Sequence, residues 1–235
     1  MATVTSLGGS RNFYDGTARA AEVTVSANRD DVLVALFSTV SGVFATIQGT
    51  APTTLTTLSS LSPVGGGGPT TLRFAVYVGT CQESFTNKTY VFYTESGYQT
   101  TRVWMWKITP ATGHLVVPEK TVWYSSYPNI LQGASSVSVS TDTDITNKSI
   151  LIGSKITDGQ NSIDADNDTF NGSWSAQQTI YAAHPTSIDQ LDTQYKICTG
   201  SGQQSYGGVV RQDTTVALSL STFTEISSAY WGVRA

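Results

Sequence analysis

Hydrophobic and polar residues alternate along most of this chain. Glu22-Val23-Thr24-Val25-Ser26-Ala27, Leu72 to Val78 (LRFAVYV), Ser136-Val137-Ser138-Val139-Ser140 and Val216 to Ser221 (VALSLS) all run with a period of two. Successive side chains of a strand point to opposite faces, so each run predicts a strand with one dry and one wet face. Val32 to Phe37 (VLVALF) is apolar at every position, which predicts a central strand covered on both sides. Thr101 to Thr109 has the same character at its centre, with Trp104, Trp106 and Ile108 on one face and Val103, Met105 and Lys107 on the other. Its predecessor, Thr89 to Thr94 (TYVFYT), ends at Glu95-Ser96-Gly97. The pair predicts a hairpin with Tyr90 and Phe92 facing the tryptophans across it.

Turn signals separate the runs at Ser41-Gly42, Gly65 to Pro69, Ser96-Gly97, Thr112-Gly113, Asp158-Gly159, Asn171-Gly172 and Gly207-Gly208. Only Thr186 to Leu191 (TSIDQL) reads as a short helical turn, with Thr186 or Ser187 as its cap. The total of about a dozen or more short strands exceeds one immunoglobulin-type sandwich and suits a jelly roll with additions. The predicted fold class is therefore all-β, a jelly-roll-like antiparallel β-sandwich. Composition does not change across the glycine run at 65–68, so it reads as a loop tip within one domain spanning 1–235, with a short N-terminal arm over about residues 1–20. No repeat of fixed period stands out.

Composition narrows the function classes. Charged residues are 13% of the 235, about half the usual share of ~25%, and serine and threonine fill the difference. The net charge is −4 with no run of Lys or Arg, which predicts no nucleic-acid partner. No apolar stretch approaches the length of a spanning helix. The start, MATVTSLGGSRNFYDG, lacks a basic segment followed by an apolar one and predicts no secretory signal, so the four N-x-S/T sequons are not assigned as glycosylated. Cys81 and Cys198 are the only cysteines. Two free buried thiols is the favoured reading and one disulfide the alternative; a disulfide framework or thiolate zinc site needs more ligands.

Catalytic signatures are absent: no nucleophile elbow, no phosphate-cradling loop, no dinucleotide fingerprint, and two histidines, His114 and His184, each in a turn-like context. The chain predicts no enzyme, although a two-carboxylate glycosidase leaves no sequence motif to exclude. One run carries metal chemistry. Asp164, Asp166 and Asp168 match the first three ligands of a calcium loop, but Thr169 and Ser175 stand where such a loop needs Gly and Glu. The solvated acidic loop is the favoured reading, with no cofactor, and a β-loop calcium site the alternative. Packing, in the core or between subunits, is the favoured role of Trp104 and Trp106, and a flat platform for a ligand such as a sugar is the alternative. Trp123, Tyr124 and Tyr127, in WYSSYP, are the candidate interface or ligand aromatics.

Taken in order, the strand VLVALFSTV, the glycine loop, LRFAVYV, the run SSVSVSTDTDITNKSILIGSKITDG and the closing TTVALSLSTF…ISSAYWGVRA resemble jelly-roll structural proteins of tailed bacteriophages, those that decorate or cement capsids or belong to tail fibres. The likeness spans roughly residues 20–234 and brings no catalytic residue. It implies a virion protein made in the host cytoplasm. Its partners would be the major capsid protein or other virion proteins, it would self-associate as a homo-oligomer such as a trimer, and Ala229 to Ala235 would be its closing strand. The alternative within this reading is a carbohydrate- or receptor-binding module of a tail fibre.

Overall fold

The computed structural model describes residues 1–13, 20–40, 44–64, 72–94, 100–126, 131, 133–158, 163–184, 187–210 and 215–230. The first half of the chain supplies β1 (Thr3–Phe13), β2 (Ala20–Ala27), β3 (Val32–Val40), β4 (Phe44–Gly49), β5 (Thr56–Val64), β6 (Leu72–Thr80), β7 (Phe85–Thr94) and β8 (Thr100–Thr109). The second half supplies β9 (His114–Ser125), β10 (Ser135–Ser140), β11 (Ser149–Asp158), β12 (Gln178–His184), β13 (Ser187–Ile197), β14 (Ser205–Val210) and β15 (Thr215–Ser227). A single 3-10 turn, Ser228–Tyr230, follows. The protein is all-β, as the alternation predicts, and every strand pairing among the described residues is antiparallel.

Four sheets stack in the order I to IV. Sheet I is β2-β7-β4, sheet II is β1-β8-β3-β6-β5, sheet III is β12-β13-β11-β15-β9 and sheet IV is β10-β14. Three apolar layers join them. Val23, Val25 and Phe92 of sheet I meet Leu33, Phe37 and Met105 of sheet II. Val34, Phe74 and Trp106 on the opposite face of sheet II meet Ile150, Ile152 and Phe223 of sheet III. Leu151, Leu218 and Leu220 on the far side of sheet III meet Val137, Val139 and Tyr206. The all-apolar VLVALF is β3, buried on both faces because a layer lies on each side of it. Ser/Val alternation in β10 puts Val137 and Val139 inward and leaves Ser136, Ser138 and Ser140 exposed.

The two halves follow the same path. In the first, β1 pairs with β8, β2 with β7 and β3 with β6. In the second, β9 pairs with β15, β10 with β14 and β11 with β13. First meets last, second meets second-to-last, third meets third-to-last, and β5 and β12 each attach beside the third pair. Local detail repeats too. Cys81 N donates to Asp31 O and Asp30 N to Cys81 O, both at 2.8 Å; Cys198 N donates to Ser149 O at 2.8 Å and Lys148 N to Cys198 O at 2.9 Å. Asp30 and Lys148 adopt the same left-handed backbone, φ 71° and 75°. The contacts between halves are reciprocal: β1 lies along β12, and β5 along β9. That exchange is the mark of two-fold symmetry. Both cysteines are free and buried.

Several expectations are corrected. The hairpin over 89–109 does not form, because β7 belongs to sheet I and β8 to sheet II; Phe92 meets Met105 across the apolar layer between them. Thr3 to Phe13 is no arm but an edge strand in ten-residue register with β8. Residues 187–191 begin β13, whose inward Leu191, Thr193 and Tyr195 alternate with period two. The last strand among the described residues is β15, with Ala229 in the 3-10 turn after it; residues 231–235 of the expected closing strand lie outside the described residues. Gly207-Gly208 is no turn but the middle of β14: a Cβ at Gly207 would lie 2.3 Å from Val137 O and one at Gly208 2.4 Å from Asp164 O, so these glycines permit close backbone approach. The turns at Ser41-Gly42, Gly65 to Pro69 and Ser96-Gly97 lie outside the described residues.

Candidate functional site

Half two lacks a counterpart of β4 among the described residues. In its place the irregular segment 163–177 covers sheet III. A segment without a strand partner must find other partners for its backbone polar groups. The outward face of β13 supplies them: Gln190, Asp192, Gln194 and Lys196 are all buried. Gln194 Oε1 accepts from Asp166 N (2.8 Å), and its Nε2 donates to Asp166 O (3.1 Å) and Ser175 O (2.8 Å). Lys155 of β11 donates to Asp164 O at 2.5 Å and stands 4.7 Å from the Tyr206 ring centroid. Lys196 donates to Asp168 Oδ2 at 2.8 Å. Asp192 accepts from Thr179 Oγ1 (2.5 Å) and Gln190 Nε2 (2.7 and 2.6 Å).

Burial dominates the titration of the inner pair. Lys155 is pushed down to about 8 by desolvation, against the pull of Asp192, Asp166 and Asp164. Desolvation also raises the Asp192 carboxyl, against its hydrogen bonds from Thr179 and Gln190 and the charge of Lys155. Both groups move toward their neutral forms, as a low-dielectric site requires. Asp168 is the opposite case: burial pulls its carboxyl up, but the Lys196 ammonium and the Phe170 N–H outweigh it and hold it below the usual range.

The carboxylates of the acidic run have partners within the protein. Asp166 Oδ1 accepts from Asp168 N (2.8 Å) and Oδ2 from Gly207 N (2.7 Å); Asp168 Oδ1 accepts from Phe170 N (3.1 Å). These carboxylates face N–H donors and an ammonium. Among the described residues, no group of three or more His, Cys, Asp or Glu, the set Asp164, Asp166 and Asp168 included, is placed to hold a metal. Their task is to pin the segment. Replacing Gln194 with alanine strands one N–H and two carbonyls at once, so the fold should lose about 2 kcal/mol. Amide exchange across 163–177 should accelerate more than in β3; equal acceleration everywhere would show that Gln194 does not hold this segment.

The candidate aromatics divide. Trp106 is buried, donates from Nε1 to Thr193 Oγ1 (3.0 Å) and meets Tyr195 edge-on at 5.4 Å. Trp123 packs edge-on against Phe74 at 5.2 Å and donates to Ser59 Oγ at 2.7 Å, spanning β9 and β5. Tyr124 packs against the layer under sheet IV. Trp123 and Tyr124 therefore contribute to internal packing, and Tyr127 lies outside the described residues. Trp104 differs: it is half-buried beside a depression of about 390 Å³ between β1 and β12. Residues Gly9, Ser10, Arg11, Thr179 and Tyr181 share that depression. Sequence reasoning missed them because they come from three distant segments. The buried ladder of β13 was legible in principle, since Gln190, Asp192, Gln194 and Lys196 fall at every second position. No protein-family model, curated protein or solved structure matches this chain.

Proposed function

We propose that this chain is a non-enzymatic structural protein of a tailed-bacteriophage virion, one that binds the head shell as a decoration or cement protein. The observation that carries the reading is the nested strand pairing, first with last and second with second-to-last, in each half. A ribbon rolled on itself in this way is the scheme of a jelly roll, although here β5 and β12 join the larger sheets. The described interior supports a structural role. Lys155, Asp192, Gln194 and Lys196, the groups best suited to chemistry by burial, are engaged in holding the protein's own backbone and side chains.

The mechanism is surface burial against the shell. Hydroxyl-bearing positions such as Thr24, Ser136 and Ser138 face outward on the outermost sheets. Neutral hydroxyls cost less to desolvate than charges. Exposed sheet edges need covering, and self-association or shell contact provides it. Mass spectrometry of purified particles tests the reading. A copy number in the hundreds, matching a capsid lattice, is the expected result. A few copies to a few dozen would move the protein to the tail or fibre, and absence from particles would overturn the virion reading.

A further inference from the structure

Sheets II and III meet along two seams, one at β5/β9 and one at β1/β12. The β5/β9 seam is sealed: Trp123 bonds Ser59 across it and its ring packs on Phe74. The β1/β12 seam is open. Its floor is Trp104 and Ile180, brought together over Gly9, where a Cβ would lie 2.5 Å from Trp104 Cε3 and 2.2 Å from Ile180 Cδ1. Only a residue without a side chain lets the indole and the isoleucine settle there. Arg11 bridges the rim by donating to the Tyr181 carbonyl. Tyr181 is 51% exposed. The Trp104 indole N–H is buried and has no hydrogen-bond partner among the described residues, and such an orphan donor calls for a physical explanation.

We propose that this depression is a saccharide-binding site. A sugar presents an apolar C–H face and a rim of hydroxyls. It needs an aromatic surface, a few polar groups beside it and a cleft open to water. Trp104, Tyr181, Thr179 and Arg11 line the seam; Ser10 lines it too, but its hydroxyl already accepts from Glu22 N of β2 at 3.2 Å. The volume of the depression, about 390 Å³, falls within the roughly 300–1,000 Å³ of ligand sites, and its lining sets the apolar Trp104 and Ile180 beside the polar Arg11 and Thr179. Among the described residues, no carboxylate lines it. The site does not depend on whether the protein belongs to a particle.

The test is saturation-transfer NMR on the full chain with glucose, galactose, mannose, N-acetylglucosamine, glucuronate, maltose and cellobiose. At least one should bind with a dissociation constant on the order of a millimolar or tighter. Tyr181→Ala, which removes an exposed side chain, and Trp104→Leu should each weaken it by about tenfold. Trp123→Phe at the sealed seam should leave it unchanged. If Trp104→Leu does not fold, Tyr181→Ala decides alone. Failure of every sugar to bind, or binding that survives Tyr181→Ala, would overturn the proposal.

Discussion

Replacing Trp106 with alanine should cost the fold about 3–5 kcal/mol, the range for emptying a large buried aromatic site. The residue sits in the layer shared by both halves, among Val34, Ile108 and Tyr195. Three losses coincide: the buried ring, the edge-on contact with Tyr195 at 5.4 Å and the hydrogen bond to Thr193. Thr193 Oγ1 keeps its bond to Gly153 O, so the cavity term should dominate. Urea denaturation should show a lower midpoint at unchanged slope. Trp106→Phe keeps most of the ring and should cost less than half as much. Equal costs for the two variants would show that the hydrogen bond, and not packing, carries the site.

The second large effect is on the alkaline side. Lys155 gives up its proton at about 8 in the folded chain, against 10.5 when unperturbed. Between those values the unfolded chain holds more protons, so rising pH favours the fold. Below them the folded state must keep a charged ammonium under the Tyr206 ring. Relative to Lys155→Met, the wild-type protein should therefore gain about 3 kcal/mol between pH 7 and pH 11. Cys198, whose thiol burial pushes up to about 11, pulls the other way over part of that range, but it does so equally in both proteins. Denaturation of the pair at several pH values isolates the lysine. A flat difference would mean that Lys155 keeps its charge in the folded state.

The strands were largely readable because alternation records which side of each strand is covered. Ser135 to Ser140 and Val32 to Val40 appear where their patterns put them. Pairing was less readable. Neighbours in sequence usually pair, which predicts a β7/β8 hairpin, yet those strands lie in different layers. The signal was present in β8, since Trp106 and Met105 on opposite faces require a layer on each side. The repeated half was hidden because its side chains diverged. Matched through Asp30 and Lys148, Ala35-Leu36-Phe37 of β3 stand opposite Gly153-Ser154-Lys155 of β11. Ala35 and Phe37 pack against sheet I and Leu36 faces sheet III, whereas Lys155 serves the irregular segment. The open seam was illegible because residues 9–11, 104 and 179–181 share no local pattern.

The reciprocal contact between the halves has a consequence for assembly. Two separate copies of one sandwich, joined by the same two-fold face, would part on dilution and could trade partners. Here one backbone carries both, so each half meets the other at an effective concentration set by the tether and independent of how much protein is present. The partners are also free to differ. Identical subunits must place the same residue at both seams, but this chain seals one with Trp123 and leaves the other open at Trp104. Fusion turns a symmetric contact into a face with two distinguishable ends.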